Sequence, residues 1–429
     1  MLFPIKSIEQ AVGVKPALSE NMLNCIDLWT KCYGGQAPWV DGEKVVSLRL
    51  EKSITREFAN VTLNEMTVNI SDKKLSDIFH KSLSGHLNRN LQRGLATRGL
   101  ILKPLPDNTT QFITANAYIP LDADVNGRYR DIIFPEFKKL GDKYYTRFER
   151  HTLDKRGLTV TNTAYLSGSP NELGREVPLT FVQEWSNYAS SVTFPTDHMI
   201  FGQFSVPLDN TVDGDPNGIS IFADALEIIK KADIQYGRLD YEFESARRRI
   251  HADLSLLKKK TDGGGYEIKD DIYVDVNGDK DDFFSEFSPA LRQDGFIAGL
   301  EEYKREIEFA VGLSYGDISN PQYVEKTATE VNASKARKRN TVDKIQEQLR
   351  VCLEDYLWAL AFYNRMTKSG YEFTCDFKDS ILNDEQSERE EDRKDLANGT
   401  LRPEEYRAKY RGETIEEALE NLPQAAEVD

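Results

Sequence analysis

The chain has 429 residues, of which 39% are hydrophobic and 29% charged, enough for two or three domains with real cores. Its formal net charge of −16 and pI near 5.0 exclude the global basic footprint of an ordinary nucleic-acid-binding domain. The four cysteines (Cys25, Cys32, Cys352, Cys375) form no CxxC pair and have no matching His spacing, which argues against a zinc site or a disulfide framework.

A reducing compartment fits this cysteine usage. No apolar run approaches the roughly 20 residues that span a bilayer, and Met1-Leu2-Phe3-Pro4 is not a signal sequence. The expectation is a soluble protein made in a cytoplasm.

In chain order, Leu18 to Trp29 reads as an amphipathic helix closed by Tyr33-Gly34-Gly35. Leu75 to Ala96 reads as another, with Leu75, Ile78, Phe79, Leu83, Leu87, Leu91 and Leu95 on one face. Val45 to Leu50, Gln111 to Tyr118, Tyr144 to His151, Leu158 to Tyr165 and Val177 to Trp185 have strand character. The region up to about Gly218 is therefore expected to be α+β with a partly antiparallel sheet.

Nine apolar positions then alternate three and four apart: Phe222, Ala225, Ile229, Ala232, Tyr236, Leu239, Phe243, Ala246 and Ile250. This heptad seam predicts one helix from Ser220 to Ile250, about 43 Å long at 1.5 Å per residue. Gly237 in its middle costs about 1 kcal/mol relative to Ala, which points to a bend or a close neighbour. Residues 251 to 287 contain Gly263-Gly264-Gly265 and the turn from Asp275 to Asp282, between strand-like runs Tyr266 to Ile268 and Ile272 to Val276. So short an insert cannot bury a core alone and needs a neighbour or another subunit.

Ser288-Pro289 predicts a helix start, with a stripe through Phe296, Leu300, Tyr303 and Ile307 to Leu313. A polar segment, Ser314 to Lys326, separates it from a third helix opened by a Thr327/Glu330 capping box, with a stripe through Val342, Ile345, Leu349, Leu353, Tyr356 and Leu360. The tail predicts two or three short charged helices broken at Gly399 and Pro403, with a second capping box at Thr414 and Glu417.

The chain shows no GxxxxGKS/T loop, no GxGxxG after a strand and no GxSxG elbow, and its five histidines never form an HExxH-like pair. No catalytic, metal or cofactor assignment follows. Asp213-Gly-Asp215-Pro-Asn217-Gly218 matches the first half of a calcium loop, but the twelfth position is Asp224 rather than Glu. A turn leading into the long helix is the alternative reading. Arg247-Arg248-Arg249 either contact phosphates or compensate a helix dipole and form ion pairs. Ser314 to Lys326 is either a moving contact element or a solvated linker. The seam either packs within its own monomer or joins a bundle of helices from several copies.

Several stretches, taken in order, resemble portal proteins of tailed bacteriophages, of the type carried by phages and prophages of Gram-positive bacteria. They are Trp29 to Trp39 (WTKCYGGQAPW), Tyr144 to His151, Phe201 to Phe222, Phe287 to Arg292, Val311 to Ser314, Lys326 to Val331, and the acidic tail with Asp379-Ser-Ile and Ala397-Asn-Gly-Thr. The resemblance covers nearly the whole chain. It implies an α+β portal fold: a wing (1–219), a stem helix (220–250), a small α/β clip (251–287), a second stem helix (288–313), a tunnel loop (314–326), a long wing helix (327–368) and an acidic helical crown (369–429).

The family further implies a non-enzymatic, dodecameric ring at one capsid vertex, assembled in the bacterial cytoplasm, through which double-stranded DNA passes without sequence recognition. Its partners would be the terminase large subunit, a head-tail adaptor, and the major capsid and scaffold proteins, with no membrane and no cofactor. Carried onto this chain, Asn320, Gln322, Tyr323, Lys326, Arg247 and Arg248 would face DNA. Phe222, Ile229, Tyr236, Phe243 and Ile250 would form the subunit interface, and Tyr266, Asp270, Asp271 and Tyr273 would dock motor or adaptor. Two other functions fit the residues less fully: a metal-binding enzyme using the Asp213 to Asp224 loop, and a coiled-coil structural adaptor.

Overall fold

A computed structural model describes residues 3–245, 249–253, 272–275, 284–287, 290–321, 328–368, 370–377, 385–411 and 413–422. The fold is mixed α+β, 47% helix and 20% strand. Among the described residues, no helix is long and apolar enough to cross a membrane. The chain divides into two units, one of Met1–Leu63 and Val68–Cys375, the other of Asn64–Thr67 and Asp376–Asp429.

The chain opens with α1 (Ile5–Val12), α2 (Glu20–Tyr33), α3 (Leu50–Leu63), β1 (Met66–Ile70), α4 (Lys73–Leu83) and α5 (Leu87–Thr97). Strands follow: β2 (Gly99–Pro104), β3 (Thr110–Thr114), β4 (Ile119–Ala123), β5 (Tyr129–Leu140), β6 (Lys143–Asp154), β7 (Gly157–Ser167), β8 (Arg175–Val177), β9 (Ser191–Phe194) and β10 (Gly202–Ser205). Next come α6 (Leu226–Ser245), β11 (Arg249–Asp253), β12 (Ile272–Asp275), β13 (Phe284–Phe287), α7 (Gln293–Val311), α8 (Ala328–Tyr363) and β14 (Phe373–Phe377). The tail holds α9 (Glu385–Ala397), α10 (Pro403–Arg411) and α11 (Ile415–Glu420).

The larger sheet runs β4-β5-β6-β7-β8, with β9 added on β7; its long β5-β6-β7 meander is antiparallel throughout. One face carries Ile119, Ile133, Phe148 and Tyr165, covered by Ile8 of α1. A second sheet, β10-β2-β3, lies against α8 so closely that a side chain on Gly202 would fall 2.2 Å from the Cys352 carbonyl oxygen. The α8 stripe Val342, Ile345, Leu349, Leu353, Tyr356 and Leu360 is fully buried there, as the 3.6-residue period predicts. Between α6 and α7 the described strands form a small sheet of order β12-β11-β13, with β11 parallel to β12 and antiparallel to β13.

Several expectations need correction. The single helix predicted over Leu75 to Ala96 is two, because Ser84-Gly85-His86 breaks it with Gly85 in the left-handed region at φ 72°. Val45 to Leu50 is no strand. Asp41 Oδ1 accepts the N–H groups of Glu43, Lys44 and Val45, folding the segment into a turn, and Leu50 begins α3. Val177 to Trp185 leaves the sheet after Val177, where Pro178 has no N–H to donate, and continues as two 3₁₀ turns. There Val182 and Trp185, three residues apart, pack on Ala164.

The seam helix is also shorter than its heptads suggest. Helix α6 covers 20 residues, about 30 Å, after a 3₁₀ turn at Ala223–Ala225. It ends at Ser245, and Ile250, predicted to be helical, lies in β11 opposite Ile272 and Glu286. Here long-range strand pairing overrides a local periodicity that carries no helix breaker. Helix α7 begins at Gln293 rather than Ser288, with Arg292 as an N-cap that makes no side-chain cap bond. Residues Ser288, Pro289 and Thr327 lie outside the described residues, as does the run Tyr266 to Ile268. In the tail the Thr414/Glu417 capping box is present with both reciprocal bonds.

Gly237 has the close neighbour that its position implied. An added Cβ would fall 2.1 Å from the Lys44 carbonyl oxygen. Alanine there gains about 1 kcal/mol of helix propensity but must displace backbone, which costs about 1–3 kcal/mol. Gly237→Ala should therefore lower stability by up to about 2 kcal/mol in urea denaturation and shift Trp39 fluorescence; a raised midpoint would show that the 40–48 turn yields freely.

Candidate functional site

Two helices and the irregular segments bound to them form the candidate site. The base of α6 is core: Phe222, Ala225, Ile229 and Ala232 are fully buried within the chain itself. Phe222 and Ile229 were expected at a subunit interface, but burial in their own core closes them to another copy. The far half differs. Tyr236 is 36% exposed, Phe243 44% and Tyr241 70%, and Leu291 beside α7 is 46% exposed.

Three anchors fix the pair. Asp233, completely buried, accepts the Trp39 indole N–H and the Leu48 backbone N–H, each at 2.8 Å. This ties α6 to the turn that also crosses Gly237. Further along, Gln235 donates to the Phe296 carbonyl oxygen of α7 at 3.4 Å. Near the far end Arg292 forks onto Glu242 at 2.7 and 3.0 Å, and its backbone N–H donates to the same carboxylate. The Arg292 hydrogen bonds hold the Glu242 carboxyl below the usual carboxylate range.

The segment after α7 is held to that helix by two carboxylates seven residues apart, hence on one face. Glu308, fully buried, accepts the N–H groups of Gly316, Ile318 and Ser319 and the Ser319 hydroxyl, the Ile318 bond at 2.6 Å. Glu301 accepts the Asn320 N–H at 2.6 Å and the Lys304 ammonium at 2.7 Å. Asp317 in turn receives Lys338 of α8 at 3.0 Å, and Lys338 also reaches Glu57 of α3 at 2.7 Å. Arg337 covers Phe309, 4.4 Å above its ring.

Of the Ser314 to Lys326 segment, residues 316–320 are tethered to α7 by these carboxylates and do not form a solvated linker. Asn320 is exposed at the end of this tethered stretch. Gln322, Tyr323 and Lys326 lie outside the described residues, as do Arg247, Arg248, Tyr266, Asp270 and Asp271. Tyr273 lies in β12, paired with His251, and Arg249 lies in β11 rather than in a last helical turn.

The calcium-loop reading fails on chemistry. Its interior is occupied by donors: the Asn210 amide donates to the Asp213 carboxylate and to the Asp215 and Asn217 carbonyl oxygens. Asp215 is taken by the buried Arg98 at 2.8 Å, and Arg98 also donates to the Asn217 carbonyl at 2.9 Å. N–H groups occupy the places where a cation would need oxygen ligands, so this loop is a turn. Among the described residues no cluster of His, Cys, Asp and Glu is arranged to hold a metal.

The strand Tyr144 to His151 carries a second ionic cluster. Glu149 pairs with Lys103 and lies 2.7 Å from His151 Nε2 and 3.2 Å from Arg147. Burial pushes the His151 pKa down, and the surrounding cations hold Glu149 far below the usual range despite its burial. His151 and Lys103 are closed off from solvent, so this cluster binds layers together and offers no substrate access.

No family model matches this chain, and no curated protein does. The site must therefore be read from its own geometry: a helix pair with a buried base, an exposed aromatic far half, an inserted sheet, and a return segment locked by carboxylates. Sequence reasoning missed Asp233, Glu301, Glu308 and Arg98. Glu301 and Glu308 carried a signal, because they interrupt the apolar stripe of Leu300, Ile307 and Val311, where a charge must find buried donors.

Two outcomes follow from these anchors. Glu308→Gln leaves one acceptor oxygen for four donors and should cost about 2–3 kcal/mol, with hydrogen exchange at Ile318 and Ser319 at least tenfold faster; unchanged protection would dismiss the tether. Beside Asp233 lies Glu51, fully buried, whose pKa burial raises to about 7 from 4.5, with Asp233 adding to the rise. The folded state thus holds a proton that the unfolded state releases, so stability falls as pH rises from 4.5 to 7 and levels off above, by about 3 kcal/mol in all. Denaturation of Glu51→Gln against wild type should show little difference at pH 4.5 and a relative gain for the variant at pH 8; a difference independent of pH would contradict this.

Proposed function

We propose that this chain is a portal-type subunit, one copy of a ring that forms a conduit for double-stranded DNA at a capsid vertex. The observation that carries the reading is the order of elements around α6 and α7. A helix leaves an α+β body, a small sheet is inserted, a second helix returns, a tethered segment turns, and a 36-residue helix crosses back over the body. This succession matches the stem, clip, tunnel loop and wing helix that the sequence resemblance implies. The exposed Tyr236, Tyr241 and Phe243 supply the remaining requirement, an apolar contact surface on the far half of the stem.

Charge supports the same reading. Each phosphate neutralised by Lys or Arg strengthens non-specific DNA binding and steepens its salt dependence, with a slope of about −0.9 per contact. A duplex that must slide is better served by few such contacts, as a chain of net charge −16 provides. The work of translocation would fall to a partner motor, which agrees with the missing phosphate loop. In this reading the terminase large subunit and later the head-tail adaptor dock at the inserted sheet, and capsid and scaffold proteins surround the body.

Electron microscopy of the purified protein should show rings with a central hole, and native mass spectrometry a mass of about twelve chains, the number that the resemblance implies. A monodisperse monomer under all assembly conditions would overturn the proposal, and a dimer or trimer would favour a coiled-coil adaptor. Phe243→Asp, at an exposed position, should leave the chain folded but reduce the assembled fraction at least tenfold, since a charge placed in a desolvated contact costs about 2 kcal/mol or more. Unchanged ring formation would remove Phe243 from the interface.

A further inference from the structure

Residues Asp384 to Asp429 carry fifteen acidic and seven basic side chains, but the basic ones are not scattered. Arg389 and Arg393 lie one turn apart on α9, Arg407 and Arg411 one turn apart on α10, and Tyr406 and Tyr410 form a second such pair on α10. All six line one cavity of about 370 Å³. The Nε groups of Arg389 and Arg393 donate to the Tyr406 hydroxyl at 3.4 and 3.2 Å, which turns both guanidinium groups toward one rim. Arg389 also lies 5.2 Å from the Tyr410 ring centre, and the two tyrosine rings are 4.8 Å apart. The bonds from Arg389 and Arg393 hold the Tyr406 phenol below the ordinary tyrosine range.

Among the described residues, the carboxylates beside this rim pair with Arg407 and Lys409. Glu413 is taken by Arg407 at 2.6 Å, and Asp392 by Lys409 at 2.6 Å and the Tyr410 hydroxyl at 2.7 Å. Among the described residues no salt bridge holds Arg393 or Arg411, and both are exposed. Arginines gathered at one cavity in a segment so rich in carboxylates repel one another, and an anion between them removes that repulsion. Planar guanidinium forks match phosphate oxygens, and tyrosine faces accept the base or sugar that accompanies a phosphate.

We propose that the cavity between α9 and α10 binds phosphate groups, with Arg393 and Arg411 as its ligands. Two sources present this chemistry, a free nucleoside polyphosphate and the backbone of a nucleic acid. The inference uses the C-terminal helices alone, so its failure would leave the conduit reading intact, and a monomeric chain would leave the inference intact.

Isothermal titration of the full chain with inorganic pyrophosphate, dATP and a 30-base-pair duplex tests it. Wild type should bind at least one probe, the double variant Arg393→Gln/Arg411→Gln should bind that probe at least tenfold more weakly with unchanged circular dichroism, and Arg393→Lys/Arg411→Lys should retain an intermediate affinity. Pyrophosphate and dATP binding would assign the site to free nucleotides, and duplex binding alone to a nucleic-acid backbone. Absence of binding to all three, or binding that the Gln variant does not weaken, would overturn the proposal. Should the Gln variant misfold, the lysine variant decides: affinity equal to wild type would remove the guanidinium fork from the site.

Discussion

A carboxylate buried against the backbone N–H groups of an irregular segment is the constraint on which the rest of this fold depends. Asp233, Glu301 and Glu308 each solve two problems at once. An ionised carboxyl out of water costs several kcal/mol unless its lone pairs are filled, and a loop packed against a helix leaves N–H groups with no ladder to join. Glu308 fills its oxygens with three backbone N–H groups and one hydroxyl, and Asp233 fills its own with one indole and one backbone N–H. Moving either segment away would expose both penalties together. These segments therefore behave as extensions of α6 and α7, and Lys338 carries the connection through Asp317 to α8 and through Glu57 to α3.

The same anchors divide the helix pair. Below Asp233 the apolar positions of α6 are spent on the chain's own core, so the base of the pair is fixed to the body. Beyond Gly237, where the 44–45 backbone crosses the helix, Tyr241 and Phe243 are exposed. The polar tie of Arg292 to Glu242 keeps α6 and α7 together there without using up that aromatic surface. A rigid base and an uncovered far half are what a helix pair needs if its partner is to be another copy.

Much of this was legible in the sequence, for identifiable reasons. The α8 stripe and the Thr414/Glu417 cap were readable because period and cap chemistry agreed with long-range packing. The heptad seam was readable only in part: nothing local in Arg247-Arg248-Arg249 announces a helix end, and the strand at Arg249–Asp253 exists through its pairing with segments more than 18 residues away. Val177 to Trp185 imitated a strand through its apolar composition, but Val182 and Trp185 are three apart, the spacing that 3₁₀ turns bring to one side. Of the expected site residues, Tyr236 and Phe243 are exposed, while Phe222 and Ile229 were indistinguishable from them in sequence because one heptad pattern serves a core and an interface equally well.

Acidity acts differently in the two units. In the larger one, carboxylates are drawn inward and consumed by backbone and buried cations, as at Glu308, Glu149 and Asp215. In the tail the helices are too short to bury such groups, and charge is sorted by face instead, with arginines one turn apart turned toward a common cavity. Burying a carboxylate fixes a backbone, whereas gathering arginines at an open rim leaves a charge to be satisfied from outside. The first arrangement makes a rigid frame and the second a place for a ligand, so the net charge of −16 says little until each carboxylate is traced to the group that it meets.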